Sequence, residues 1–316
     1  MYRDKRIGVV IPCFNEERLI ERTITTIPNW VDRMIVVDDG SHDKSVVKIK
    51  ELMNELKDRL ILIEHGENKG VGSAIVSGYK KALEEGLDVV CVMAGDSQMD
   101  PEDLTHIISP VVSGKADYVK GNRLFTGEAW KRIPKYRYLG NSILSLLTKI
   151  ASGYWHVADS QSGYTAITRD VLDILDLDSI YSGYGYTNDL LVRLNVYNFR
   201  VKDVSINPIY NIGEKSRINL LRVIPSISFL LLRRFFWRLK EKYVIRDFHP
   251  LVFFYLMSFL LLPAGVVFGA YLIYLRLRLG GIALPGVILD AVLLISGFQS
   301  LFFAFWFDMD YNKDLK

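Results

Sequence analysis

Short apolar runs alternate with stretches of helical periodicity from the start of the chain. Residues 7–12 read as a strand, followed by a helical pattern over 16–27 and a second strand over 34–37. The alternation continues with a helix over 45–57, a strand over 60–64, a helix over 71–85 and a strand over 89–93. Strands that are apolar at consecutive positions are buried on both faces, so the pattern predicts an α/β domain with a mostly parallel sheet covered by helices. Ligands of such sheets gather at the carboxyl ends of the strands, which directs attention to the residues after Val10, Val37 and Met93.

Past Asp117 the alternation is lost. Residues 121–163 are rich in Gly, Arg, Lys and Tyr around one apolar helical run, 139–150, the composition of a substrate loop. Over 217–243 apolar and basic side chains are interleaved. Pro225 predicts a break there, giving two amphipathic helices that lie on a headgroup layer with Arg and Lys stems reaching the phosphates. Residues 251–275 then carry no charge and 282–307 carry one, Asp290. Each run exceeds the roughly 20 apolar residues that cross a bilayer. The link 276–281 is too short for a domain, so the spans form a hairpin opening to one side. Asp290 is costly in lipid and is expected to face protein or water, with packing or an oligomer contact as its use. The chain thus divides into 1–216, a globular domain; 217–248, amphipathic juxtamembrane helices; and 249–316, a transmembrane hairpin with a short tail.

Of the 316 residues half are hydrophobic and 24% charged, an average of two unlike parts that excludes both a disordered chain and a wholly soluble one. The net charge of +3 conceals a concentration, because 217–248 hold eight basic side chains against two acidic ones. Basic residues beside apolar spans fit the anionic cytoplasmic leaflet rather than nucleic acid, and place the large domain at the cytoplasmic face of the cell membrane. Cys13 and Cys91 cannot build a disulfide framework and have no metal-type neighbours. The opening MYRDKRIGVVIPCF lacks the apolar segment of a secretory signal, so the domain is expected to remain cytoplasmic.

Three acidic clusters close three strands: Asn15, Glu16 and Glu17; Asp38, Asp39 and Ser41; Asp96, Gln98 and Asp100. Carboxylates gathered at one sheet edge are costly unless they hold a cation or a hydrogen-bonding ligand, and a nucleotide with a divalent ion meets both needs. Carboxylate and amide oxygens suit Mg²⁺ or Mn²⁺, whereas zinc would call for a His/Cys cluster. Each residue alone also reads as a helix cap. For Asp100, ahead of Pro101, capping is the better reading, while for Asp39 and Asp96 the shared position favours binding.

The segments VIPCFNEE, VVDDGSHD, ENKGVGSAIVSGYKKAL and MAGDSQMDPEDL, in this order, resemble the inverting glycosyltransferases of GT-A type, especially the polyprenyl-phosphate sugar synthases related to dolichol-phosphate mannose synthase. The resemblance runs from about residue 7 to 217 and extends to the basic helices and the membrane hairpin. It implies a GT-A-like nucleotide-diphospho-sugar domain in which Pro12, Asn15, Glu17 and Asp39 hold the base and ribose, and Asn68, Lys69, Gly70 and Ala74 line the same pocket. Asp96 and Gln98 are the implied metal ligands. The family commonly carries D-x-D-x-Q where this chain has Ala94-Gly95-Asp96-Ser97-Gln98, so water or the diphosphate must complete the coordination.

Arg123, Arg137 and the group Lys215, Ser216 and Arg217 are the implied contacts of an acceptor phosphate, a role that suits guanidinium forks. The segment from Asp159 to Tyr164 resembles the family's acceptor side, and Asp189 falls where relatives carry an acidic residue that positions the donor sugar or acts as base. The implied reaction, with Asp96, Arg123 and Asp189 as its catalytic residues, moves a hexose from a nucleoside-diphosphate sugar, of GDP-mannose or UDP-glucose type, to dolichyl or another polyprenyl phosphate. Two rivals stand beside it. A processive polysaccharide synthase needs a longer membrane channel and a Q-x-x-R-W motif, neither of which the sequence contains, and Ala94 raises the alternative of an inactive membrane scaffold.

Overall fold

The computed structural model describes residues 1–124, 135–207, 209, 220–281 and 283–316, with backbone alone at 135–139, 141 and 220–222. The chain separates into two compact units, residues 1–235 with 315–316, and residues 236–314.

The first unit is built on seven strands: β1 (Ile7–Cys13), β2 (Arg33–Asp38), β3 (Leu60–Glu64), β4 (Val89–Val92), β5 (Tyr118–Asn122), β6 (Thr165–Thr168) and β7 (Val201–Ser205). They lie in the order β3-β2-β1-β4-β6-β5-β7. β1 pairs in parallel with β2 and β4, β2 with β3, and β5 with β7, whereas β6 runs antiparallel to both β4 and β5. All strands but β6 therefore end on one rim. Helices α1 (Ile20–Thr26), α2 (Ser45–Leu56) and α4 (Leu104–Val112) cover one face, and α3 (Val71–Glu84), α6 (Arg169–Ile174) and α7 (Tyr186–Val196) the other.

The alternation of side chains along each strand divides the core. Ile7, Val9 and Ile11 of β1 pack with Ile20, Ile24, Ile49 and Ile107, while Val10 packs with Ile35, Ala74, Ile75 and Tyr79. The predicted helix over 16–27 starts later, at Ile20, and ahead of it the Glu16 N–H donates to Ser45 Oγ (2.8 Å) and the Glu17 N–H to Asp43 Oδ2 (3.1 Å). Helix α5 (Lys135–Ser152) extends the apolar run expected at 139–150 in both directions.

Helix α8 (Leu220–Lys240) begins in the first unit and runs through Pro225, so the expected break into two amphipathic helices does not occur. Pro225 lies near the helix N-terminus, where its missing N–H costs a single intrahelical bond. In the second unit α8 passes into a π-helical turn, Glu241–Arg246, and then into α9 (Leu251–Leu279) and α10 (Leu284–Tyr311). Both of these are long and apolar enough to cross a membrane and are mostly exposed.

Small residues let α9 and α10 approach closely. A Cβ added to Gly265 would meet Leu294 at 2.7 Å, and one on Gly297 would meet Leu262 at 2.9 Å. Asp290 turns toward α9, its Oδ2 lying 2.9 Å from where a Cβ of Gly269 would be. At the other end of the hairpin Arg238 donates from Nη1 and Nη2 to the Asp308 carboxylate (2.9 and 3.0 Å), both side chains being fully buried. Tyr243 Oη donates to Asp308 Oδ1 (2.5 Å), and Lys242 Nζ to Asn312 Oδ1 (2.7 Å). Burial pushes the Lys242 amine down to about 7.

Candidate active site

The loops after β1 and β2 are tied to each other. Asn15, with a left-handed φ of 56°, donates its N–H to Ser41 Oγ (2.8 Å), and its Oδ1 accepts the N–H of His42 (2.7 Å). Glu17 Oε2 accepts the N–H of Lys44 (3.2 Å). Burial opposes ionisation of Asp43, but hydrogen bonds from Ser45 and the Glu17 amide outweigh it and hold the carboxyl below its ordinary value. Pro12 joins the end of β1 to the loop after β4, its carbonyl accepting the Gly95 N–H (3.1 Å).

Asp39, only 3% exposed, faces three donors. Its Oδ1 lies 2.8 Å from His65 Nδ1 and accepts the Lys69 N–H (2.9 Å), while Oδ2 accepts the Gly70 N–H (2.9 Å). His65 Nε2 is 2.9 Å from Ser77 Oγ on α3. Gly70 has φ +96°, and a Cβ there would sit 2.6 Å from the Ser182 carbonyl, which also accepts the Gly72 N–H (2.6 Å). The turn that presents two amides to Asp39 is thus clamped by the 181–182 segment. Asn68 and Lys69 have exposed side chains. Ala74 is fully buried, in the core cluster that holds Val10, Ile35 and Ile75. No motif in the sequence singles out His65, although its place directly after β3 puts it on the same rim.

After β4 the Asp96–Gln98 loop is pinned to α1. Ser97, with φ 55°, shares a hydrogen bond with Thr23 Oγ1 (2.7 Å) and donates to the Leu19 carbonyl (3.1 Å), and Thr23 also bonds to the Gly95 carbonyl (3.1 Å). Asp96 Oδ1 accepts the Gln98 N–H (3.1 Å), and both side chains remain partly exposed. Among the described residues no three His, Cys, Asp or Glu side chains gather as a metal site. Asp96 and Gln98 nevertheless present the hard carboxylate and amide oxygens that fit Mg²⁺ or Mn²⁺. Asp100 caps the following turn, accepting the Glu102 N–H (2.9 Å).

The ends of β5 and β7 form the other half of the rim. Arg123 donates from Nε (2.7 Å) and Nη2 (3.1 Å) to Asp159, whose side chain is 2% exposed. Burial raises the Asp159 carboxyl, but Arg123 and Lys120 outweigh it and bring it below its usual range. Lys120 is fully buried, donates to the Ser162 carbonyl, and is driven by burial down to about 8. Asp203 accepts from Asn122 Nδ2 (3.0 Å) and the Ala158 N–H (2.7 Å), and desolvation pushes it up to about 6. The sequence offered no local sign of Asp203.

Asp189, fully buried at the start of α7, accepts from the Tyr181 N–H (2.9 Å) and Arg193 Nε (3.1 Å) and pairs with Arg234 of α8. It thereby fixes the segment whose Ser182 carbonyl clamps the Gly70–Gly72 turn. Of Arg137 only the backbone, in α5, is described, and Lys215, Ser216 and Arg217 lie outside the described residues.

Residues 8–175 match the family described as Glycosyl transferase family 2, and the chain belongs to that family. It is 33% identical over 219 residues to the UDP-N-acetylglucosamine–dolichyl-phosphate N-acetylglucosaminyltransferase of Methanococcus voltae, covering 66% of this chain and 87% of that one. It is 28% identical to the polyprenol monophosphomannose synthase of Mycolicibacterium smegmatis, over 64% of this chain and 77% of that one. Among solved structures, glucosyl-3-phosphoglycerate synthase from Mycobacterium tuberculosis, in complex with Mn²⁺, uridine diphosphate and phosphoglyceric acid, gives a TM-score of 0.56 at 20% identity, over 74% of this chain and 78% of that one. That likeness shows the shared fold. The GT-A-like α/β architecture and the resemblance to polyprenyl-phosphate glycosyltransferases read from the sequence are borne out.

Proposed function

We propose that the protein is a membrane-bound inverting transferase that moves a sugar from a nucleoside-diphosphate donor to a polyprenyl phosphate. The observation that carries the reading is the shared rim. The Asp39 pocket closes one half, the Arg123–Asp159 pair closes the other, and the Asp96–Gln98 loop follows the strand between them. The relatives named for dolichyl-phosphate and polyprenol chemistry support a lipid phosphate as acceptor, and α9 and α10 supply an anchor in the layer that holds such a lipid. They also widen the donor range beyond mannose and glucose, because one of them is named for N-acetylglucosamine.

Asp39 binds the nucleoside through whatever lone pair its three amide and imidazole donors leave. Asp96 and Gln98 would hold a divalent ion, which when bound neutralises charge on the departing diphosphate. Arg123, oriented by Asp159, draws in the acceptor phosphate. One phosphate oxygen attacks the anomeric carbon in line as the bond to the diphosphate oxygen breaks and its electron pair leaves with the nucleotide. That oxygen is already anionic near neutral pH, with a second phosphomonoester pKa of about 6, so no strong base is needed. Asp189 accordingly acts as a positioning residue through Arg234 and the 181–182 segment. The basic residues of 217–248 support the cytoplasmic face as the side on which this chemistry runs.

The test is transfer by the purified full chain from labelled UDP-N-acetylglucosamine, GDP-mannose and UDP-glucose to dolichyl and undecaprenyl phosphate, with Mg²⁺ or Mn²⁺. A labelled lipid with at least one donor, lost in Asp96→Ala, is expected. No labelled lipid from any pairing overturns the proposal.

A further inference from the structure

Helix α5 turns a row of aliphatic side chains outward. Its inward face carries three hydroxyls beside the buried Leu144 and Ala151: Ser145, Thr148 and Ser152 are all at most 5% exposed. These hydroxyls are used internally. Ser145 Oγ lies 3.2 Å from Ser160 Oγ, Thr148 Oγ1 accepts from the fully buried Asn188 (2.7 Å), and Ser152 Oγ accepts the Tyr154 N–H (3.3 Å). The outward face is aliphatic at helical spacing. Ile143 is 49% and Leu146 54% exposed, and Leu147 and Ile150 are partly exposed beside them. A helix whose outer face met only water would carry polar side chains there.

The ridge has a neighbour of the same character. A Cβ on Gly140 would lie 3.2 Å from Ile224 of α8, so the start of α5 abuts that helix. Within the same unit α8 exposes Phe229 (71%) and Leu232 (54%), with Arg233 exposed next to them. Lys149 flanks the α5 ridge. Apolar ridges fringed by cations match the acyl-to-headgroup boundary of an anionic bilayer, and the chain continues from α8 into two helices long enough to span one. The apolar stretch of α5, Ser142–Ser152, is too short to cross.

We infer that α5 is a membrane-seating helix of the catalytic domain, its Ile143–Leu146–Leu147–Ile150 ridge immersed at the lipid interface beside the Phe229–Leu232 face of α8. The domain is then held on the bilayer by its own surface as well as by the hairpin. The inference rests on the membrane reading above and not on the transfer chemistry.

The test places a nitroxide at Ile143→Cys and, separately, at Leu146→Cys in the full chain, reconstituted in nanodiscs of phosphatidylethanolamine and phosphatidylglycerol. Cys13 and Cys91, 2% and 0% exposed, stay unlabelled, and Val47→Cys on α2, 54% exposed at the wild-type valine, is the water-facing control. Collision rates with oxygen and with a neutral nickel chelate are compared. A ratio favouring oxygen several-fold more at 143 and 146 than at 47 is expected. Equal ratios at the three sites overturn the inference, as does spin–spin broadening that grows with the number of protein copies per disc, the sign that a second copy covers the ridge. Transfer assays on the same samples separate the two claims. Water-like labels on an active enzyme sink the seating helix alone, and lipid-exposed labels on a chain that transfers no sugar sink the proposed function alone.

Discussion

His65 Nδ1 lies 2.8 Å from Asp39 Oδ1 while its Nε2 lies 2.9 Å from Ser77 Oγ, so the imidazole bridges α3 to the carboxylate of the proposed nucleotide pocket. A ring held at both nitrogens has a fixed orientation, and the carboxylate it touches is fixed in turn. His65→Phe removes one of three donors from Asp39 and leaves the Ser77 hydroxyl unpartnered. A hydrogen bond to a charged group contributes about 1.5–3 kcal/mol. Nucleoside diphosphate affinity, measured by calorimetry, is expected to fall by roughly tenfold or more, with Ser77→Ala producing a smaller loss in the same direction. Unchanged affinity in His65→Phe would remove the bridge from the pocket's design.

Gly72 has no room for a side chain. A Cβ there would overlap the Tyr181 carbonyl and come within 2.9 Å of the Ser182 backbone, neither of which can rotate away. Gly66, four residues before the tight turn, has nothing within 4 Å. Gly72→Ala is therefore expected to lower stability by about 1–3 kcal/mol through overpacking and to weaken nucleotide binding, because the same clamp holds the Gly70 amide on Asp39. Gly66→Ala should leave both unchanged. Thermal unfolding and nucleotide calorimetry on the two variants make the comparison.

Much of this rim is legible in the sequence, and the reason is local. β3 occupies the predicted 60–64 because its apolar run is bounded on both sides, and α3 over Val71–Glu84 follows from unbroken periodicity after Gly70. What could not be read depends on pairing across long separations. Asp203 joins the site only because the β5–β7 ladder pairs it with Lys120 and brings the side chain of Asn122, 81 residues away, within hydrogen-bond reach. β6 is four residues long, and nothing within it announces that it runs against β4. Pro225 misled because its effect depends on where the helix starts.

Asp203 and Lys120 make opposite contributions to the pH dependence of stability. Desolvation raises Asp203 from its ordinary 3.8 to about 6, so between these values the folded chain keeps a proton that the unfolded chain has released. Stability therefore falls as pH rises from roughly 4 to 6. Burial lowers Lys120 from 10.5 to about 8, so above pH 8 the unfolded chain keeps the extra proton and stability rises with pH. Denaturant titrations across this range should show the acid-side decline, of about 1–2 kcal/mol, and Asp203→Asn should abolish it while its amide oxygen still accepts from Asn122 and Ala158. A decline that persists in Asp203→Asn would assign the proton to another group.

Arg238 and Asp308 form a bidentate pair with both side chains fully buried, joining the end of α8 to the end of α10. Breaking one partner of a buried pair costs about 3–5 kcal/mol because the other charge stays desolvated, whereas replacing both by apolar side chains of similar volume is often neutral. Asp308→Leu is therefore expected to lower the unfolding temperature of the detergent-solubilised chain sharply, and Arg238→Met with Asp308→Leu to recover most of the loss. Tyr243 limits that recovery, since its hydroxyl donates to Asp308 Oδ1 and would keep only its bond from Asn312. A double variant no more stable than the single one would mean that the pair does more than balance charge, and that its hydrogen-bonded geometry sets how α8 enters the hairpin.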